Sequence, residues 1–239
     1  MSHLRRMLLL VSLVVPLLAV SAGCAGETAK RDAATAKWRD SFPVDKANLA
    51  DTGRNPYFIL EPGYRLVLEH GKDTLVITVL DDTKVVDGVK TRVVEERETK
   101  GGRLAEVSRN YFAIDKMTGD VYYFGEDVDD YDNDGKVAGH GGVWLAGANG
   151  ARFGLLMPGK PKVGDRYYQE LAPGVAMDRA EVVSVTEEYK VPAGAFKDCL
   201  RTRESSAMEG GSEDKLYAPG VGLLKDGGFL LTKVEKPKR

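Results

Sequence analysis

Cysteine and histidine are scarce in this chain. Its 239 residues hold two cysteines, Cys24 and Cys199, and three histidines. That excludes a disulfide-dense scaffold, so the fold must rest on an apolar core. It also makes a tetrahedral zinc site of nitrogen and sulfur ligands hard to assemble. An excess of positive charge is missing too: the formal net charge is −2. No Lys/Arg-rich run with interleaved aromatics occurs, which argues against nucleic acid as a partner. Enzyme signatures are lacking. There is no Gly-x-Ser-x-Gly elbow, no His-Glu-x-x-His, no phosphate-cradling glycine loop and no dinucleotide fingerprint. No residue is assigned a catalytic role, and the reading leans away from an enzyme.

Long apolar runs are confined to the N-terminus. Arg5 and Arg6 precede an apolar stretch from Met7 to Val20, broken by Ser12 and Pro16. It is too short and wrongly flanked for a transmembrane helix and reads as a secretory leader over residues 1–23. Ser21-Ala22-Gly23 lead into Cys24, which resembles a bacterial lipobox with Ser21 where Leu or Val is usual. Two processing routes follow. Lipidation of Cys24 would give an exported cell-envelope lipoprotein, held at a membrane by its N-terminal anchor. Ordinary cleavage near Ala22 or Ala25 would give a periplasmic or extracellular protein. If Cys24 begins the mature chain, 216 residues remain, with 32 basic against 36 acidic. Residues 24–55 are expected to form a lipidated or flexible tether, with Trp38 and Phe42 able to dock on the body. Residues 56–239 are expected to form a single β domain.

From Tyr57 onward the pattern has period two. Tyr64–His70, Thr74–Leu80, Val89–Glu98, Asn110–Ile114, Val175–Glu188 and Phe229–Val234 all read as strands between Gly, Pro and Asp turns. The stretch Thr118–Gly125 through Val143–Leu145 reads as a central hairpin, with Glu126 to Gly135 as a long acidic tip. No body segment carries a convincing helical pattern. The expected fold is all-β: an antiparallel meander of about a dozen strands forming a curved sheet, half-barrel or sandwich.

Three pieces, Pro161-Lys162-Val163-Gly164-Asp165, Val191–Phe196 and Tyr217–Leu223, occur in an order that resembles secreted bacterial β proteins of unknown function. Asp120–Asp127 is similar to the matching stretch of one such group, and the resemblance covers roughly residues 55–235. The architecture is also similar to the open β half-barrels of lipoprotein carriers, which hold acyl chains. That resemblance implies an apolar or lipid ligand by analogy of fold alone. Read from the residues themselves, these pieces are turn chemistry that sets strand register.

The acidic tip holds five aspartates within eight residues. Asp130, Asp132 and Asp134 before Gly135 resemble the first half of an EF-hand loop, where alternating carboxylates wrap a hard cation. The twelfth position is Gly141 rather than Glu, and the flanks read as strands, so an EF-hand is excluded. A Ca2+-binding hairpin loop and a solvated acidic turn around Asn133-Asp134-Gly135 both remain open. His140, among glycines, reads first as a loop residue and second as the base of a hydrolase with an acidic partner. Glu95-Glu96 and Glu187-Glu188 read as solvated strand positions. Cys199 reads as a packed small apolar residue. The aromatics of the middle strands read as sheet core, with a ligand-binding face as the alternative. Three functions are therefore carried forward: a binding or structural protein of the cell envelope, a calcium-binding surface protein acting through residues 126–135, and, last, a hydrolase.

Overall fold

A computed structural model describes residues 37–237. The leader and Cys24 lie outside the described residues. In chain order the first strands are β1 (Leu49–Ala50), β2 (Gly53–Asn55), β3 (Phe58–Leu60), β4 (Arg65–His70), β5 (Asp73–Val86) and β6 (Val89–Lys100). Next come β7 (Arg103–Asp115), β8 (Val121–Tyr131), β9 (Val137–Gly139), β10 (Trp144–Leu145), β11 (Arg152–Met157) and β12 (Arg166–Tyr168). The last are β13 (Glu170–Leu171), β14 (Asp178–Val191), β15 (Gly194–Ser206), β16 (Glu213–Ala218), β17 (Gly222–Asp226) and β18 (Phe229–Glu235). A single 3-10 turn, Lys46–Asn48, precedes them, and Asp45 caps it by accepting the Ala47 N–H.

The architecture is the antiparallel all-β meander that the alternating pattern predicts. Thirteen strands follow one path, β12-β14-β15-β16-β17-β18-β4-β5-β6-β7-β8-β11-β13, and β1, β9 and β10 attach to its sides. The path begins and ends on one short segment, because β12 and β13 are separated only by Gln169. Arg166–Tyr168 pair with β14, while Glu170 and Leu171 pair with β11. The sheet thus rolls into a nearly closed barrel with an unsealed seam.

Two features tighten the seam. Gly154 on β11 lies so close to the seam segment that a Cβ there would stand 2.3 Å from the Gln169 carbonyl oxygen. On the other side, Arg39 bonds the free edge of β12. Its N–H donates to the Arg166 carbonyl, and the Tyr168 N–H donates to the Arg39 carbonyl. An open strand edge is a site for unwanted pairing, and this short N-terminal stretch covers one. Trp38 packs outside it, edge-on to Tyr168 and beneath the Arg166 and Arg179 guanidinium groups. Phe42 is buried against Tyr122.

Residues 38–55, expected to belong to the tether, are instead built into the body. The reason is physical. Polar residues dominate this stretch, but Phe42 is buried, Val44, Leu49 and Ala50 pack against the core, and its backbone has an edge to pair with. β1 pairs with the end of β7, and β2 and β3 form a separate hairpin. That hairpin plugs one end of the barrel. Ile59 and Leu60 are buried there, and Phe58 meets Phe112 edge-on at 5.2 Å. The Arg92 guanidinium locks the plug. It donates to the Asp51 carboxylate at 2.6 Å and to the Asp51 and Asp81 carbonyls.

The plugged end also gathers the β7–β8 and β16–β17 turns. Asn55 donates to the Gly119 and Pro158 carbonyls, and the Gly220 N–H donates to the Pro56 carbonyl. The β4–β5, β6–β7, β8–β9, β15–β16 and β17–β18 turns ring the opposite, unplugged end.

Gly154→Ala tests the seam. The added methyl must push Gln169 off β11, and overpacking of this kind costs about 1–3 kcal/mol. Urea denaturation should show that loss, whereas an unchanged midpoint would mean the seam segment is not held against β11.

Candidate functional site

Register decides which side chains enter the barrel. Between β5 and β8 three cross-strand rows face inward. Nearest the plug lie Val79, Val94, Asn110 and Glu126. Next come Ile77, Glu96, Ser108 and Val128, and then Leu75, Glu98, Glu106 and Asp130. The opposite wall repeats the trend from Leu200, Tyr217 and Leu223 through Thr202 and Lys215 to Glu204 and Glu213. Polarity therefore rises from the plug toward the unplugged end.

A bulge in β8 sharpens this arrangement. Asn110 and Phe112, two residues apart, oppose Glu126 and Tyr123, three residues apart. The extra residue lets both Tyr123 and Glu126 face inward. Gly125 makes it possible: its φ is +133°, and a Cβ would stand 2.3 Å from the Trp144 carbonyl oxygen of β10. Phe112, Tyr123 and Trp144 then pack as one aromatic group, with centroids 4.7 and 5.3 Å apart.

These rows enclose a cavity of about 590 Å³. Phe58, Ile59, Tyr64, Phe112, Met157 and Leu223 line its plugged end. Eleven carboxylates and two lysines also line it. The whole chain is nearly balanced, with 36 acidic and 34 basic residues, so the interior excess reflects segregation rather than composition. Val175 and Met208, both exposed, lie at the lip.

The interior charges are tied together. Lys215 bridges Glu204 at 3.1 Å and Asp226 at 3.3 Å. Burial disfavours its ammonium, but Asp226 and Glu204 outweigh that and hold its pKa well above the ordinary lysine value. Glu204 also accepts from Gln169, Thr202 and the Tyr217 hydroxyl. Burial, then the negative charge of Asp226, pushes the Glu213 carboxyl up to about 7. Burial pushes the Tyr123 phenol well above its usual range, helped by Glu126, Glu170 and Glu96. Tyr167 stands in the same cross-strand row as Ala180, Glu204 and Glu213. It is 1% exposed, and its hydroxyl has no hydrogen-bond partner.

The structure also places the residues singled out in the sequence. The acidic tip is mostly strand, because β8 extends to Tyr131, and its aspartates divide between two faces. Asp127 turns outward to Lys84 and the Tyr111 hydroxyl, and Asp129 turns outward to Arg109. Asp130 turns inward and accepts the Gly141 N–H. Asp132 holds the turn, accepting the Asp134 and Lys136 N–H groups on one oxygen. Asp134 is exposed. Among the described residues, no group of three or more His, Cys, Asp or Glu side chains is arranged to hold a metal ion.

His140 sits on the outer side, with Nδ1 2.9 Å from the Val128 carbonyl oxygen and 3.1 Å from an Asp129 carboxylate oxygen. Cys199 is a free thiol, fully buried, and burial raises its pKa. Glu96 departs from the solvated-strand expectation, since it faces the cavity while Glu95 faces out toward Arg97 and Arg109. Glu98, Glu106, Glu204 and Glu213 were not singled out in the sequence, and Glu126 only as part of the acidic tip. The available trace was acidic residues spaced two apart within strands, as at Glu96 and Glu98. No protein-family model, curated protein or solved structure matches this chain.

Two predictions follow from these placements. A buried acid with a raised pKa favours the folded state only while protonated, so its contribution falls as pH rises from about 4.5 to about 7. Glu213→Gln should therefore unfold at higher urea than the parent at pH 8, by about 1–2 kcal/mol after solvent screening. The gap should close near pH 4.5, and a gap that instead widens toward acid would refute this protonation scheme. Asp132→Ala should cost about 1 kcal/mol through the lost turn bonds. The loss should be equal in EDTA and in millimolar calcium. A calcium-dependent rise in melting temperature that the substitution abolishes would make Asp132 a ligand.

Proposed function

We propose that this chain is a non-enzymatic binding protein of the cell envelope that holds an apolar ligand inside its barrel. The observation that carries this reading is the internal cavity of about 590 Å³, walled by Phe58, Phe112, Met157 and Leu223 at a plugged end and reached past Val175 and Met208. Ligand pockets of a few hundred cubic ångströms, mostly apolar with a few polar groups, are the usual form of small-molecule sites. A tightly packed core would have had no room for a ligand. Export and lipid anchoring at Cys24 are part of the same proposal. They rest on Arg5-Arg6, the apolar run and the Ser21-Ala22-Gly23-Cys24 sequence.

A neutral solvatochromic dye such as Nile red tests the cavity directly. Saturable binding of about one dye per chain is expected, with an apolar emission shift. Ile77→Trp, which fills the middle row, should abolish it. Val85→Trp, at a position 69% exposed, should leave it intact. Circular dichroism of both variants establishes that they are folded. Non-saturable binding, or binding indifferent to Ile77→Trp, would defeat the proposal.

A further inference from the structure

We infer that a second pocket, beside the seam at the plugged end, binds a phosphomonoester, with Arg39, Lys160 and Lys162 supplying positive charge and the Tyr167 hydroxyl a buried donor. This pocket shares no lining residue with the interior cavity, and the inference does not depend on the carrier reading.

The pocket has a volume of about 440 Å³. Three segments build it. The N-terminal stretch brings Arg39, the β7–β8 turn brings Thr118 and Asp120, and the β11–β12 connection brings Lys160 and Lys162. Backbone bonds fix this frame. The Gly159 N–H donates to Asp120 Oδ1 at 2.7 Å, and Gly159 lies so close to the Thr118 carbonyl oxygen that a side chain there would collide with it. The Lys162 N–H donates to Asp165 Oδ2 at 2.8 Å, and the Arg39 backbone is held on the edge of β12. A frame ordered in advance lowers what binding must spend on ordering it.

The pocket is positive. Four cationic side chains line it against two carboxylates, Asp120 and Asp165, and both carboxylates already accept backbone N–H groups. Arg166 is committed to Glu181 at 3.0 Å and lies over Trp38. Arg39, Lys160 and Lys162 have no carboxylate within ion-pair distance among the described residues. The Arg39 guanidinium lies over the Phe42 ring instead. Exposed lysines alone are ordinarily just solvated, so the sign of the pocket says which ligand would fit, not that one binds.

The second observation is Tyr167. It lines this pocket, is 1% exposed, and its hydroxyl has no hydrogen-bond partner. Asp165, Arg39 and Asp120, all of this pocket, act on the phenol, as does Glu204. Burial, then Glu204, raises its pKa, so the hydroxyl keeps its proton as a donor. A buried hydroxyl left unpaired is costly, and such a group calls for a missing partner. A phosphate oxygen accepts from it, while the remaining oxygens take the lysine and arginine donors. The volume exceeds what a bare phosphate fills, which leaves room for an organic substituent beside Met117, itself 78% exposed. That substituent belongs to a soluble phosphomonoester or to a lipid headgroup, and the phosphate chemistry is common to both.

The test is a calorimetric titration of the full chain with inorganic phosphate, glycerol 3-phosphate and dihexanoyl phosphatidic acid, the last below its micelle concentration. Glycerol is the uncharged control. Glycerol 3-phosphate is expected to saturate at one per chain with a Kd of about 1 mM or tighter, and glycerol to give no heat of binding. Lys160→Ala/Lys162→Ala should weaken binding at least about tenfold, and Lys197→Ala, on the exposed surface, less than about twofold. Tyr167→Phe should weaken it about threefold or more, yet melt no lower than the parent without ligand, because it removes an unpaired buried hydroxyl. Circular dichroism establishes that the variants are folded. For the lipid, only the binding lost in the lysine variant counts, because acyl chains can also enter the interior cavity. A lipid preference of about tenfold over glycerol 3-phosphate supports the site with a headgroup as its ligand, and parity supports it with a soluble ester. No saturable binding of any of the three, or binding that the lysine variant leaves unchanged, overturns the inference and leaves the carrier reading untouched.

Discussion

Closure of the sheet through Arg166–Leu171 is the constraint on which the rest depends. One segment hydrogen-bonds β14 with its first half and β11 with its second. Without that, β11 and β14 would be two edges of an open sheet, and their inner face would meet water. With it, the inner face becomes an interior, and the meaning of every inward side chain changes. Glu98, at 6% exposure, would be an ordinary solvated residue on a flat sheet. Inside a rolled sheet it lies in a low-dielectric space where charge is expensive unless compensated. The devices at the seam make the closure possible: the missing side chain of Gly154, the Arg39 backbone on the edge of β12, and the Trp38 stack outside it. Trp38 and Arg39 lie far in sequence from the cavity walls they complete, whereas Gly154 shares β11 with Met157 of the wall.

The interior sets one demand against another. The plugged end is packed as a hydrophobic core should be, with Phe58, Phe112, Tyr123 and Trp144 in ring-to-ring contact. The other end accumulates carboxylates. The chain limits their repulsion with Lys215 between Glu204 and Asp226, and with a proton retained by Glu213 beside Asp226. A sequence selected for stability alone would have used apolar residues at these positions, because buried ion networks seldom exceed a well-packed core in stability. Retaining the charges is understandable if the interior serves recognition.

Much of the fold was legible in the sequence. Alternation with Gly, Pro and Asp turns marks the strands, because a hairpin needs left-handed backbone at its turns and a pleat repeats every two residues. The barrel's inside was not legible, for a specific reason. Reading Glu95-Glu96 as solvated assumes that polar residues face water, and in a barrel with a polar lumen that assumption fails on one face. Strand β6 is charged on both faces, so alternation cannot say which is inside. The sense is fixed only by long-range closure and by the Gly125 bulge, which shifts the phase of β8 by one residue midway. Residues 38–55 misled for a related reason. Their composition is that of a linker, and their role in covering an edge and plugging an end is set by partners far along the chain.

The acidic stretch shows how strand geometry redistributes a sequence cluster. Five aspartates close together read as one feature, either a cation loop or a repelling turn. Extended backbone sends successive side chains to opposite faces, so the cluster splits. Asp127 and Asp129 find Lys84 and Arg109 on neighbouring strands outside, where exposed pairs contribute little but neutralise charge. Asp130 enters the lumen and adds to its negative field. Asp132 is consumed by the turn that reverses the chain. Four of the five aspartates thus have separate structural places while Asp134 is exposed, and the one that lines the cavity, Asp130, is the one whose parity on β8 matches Glu126.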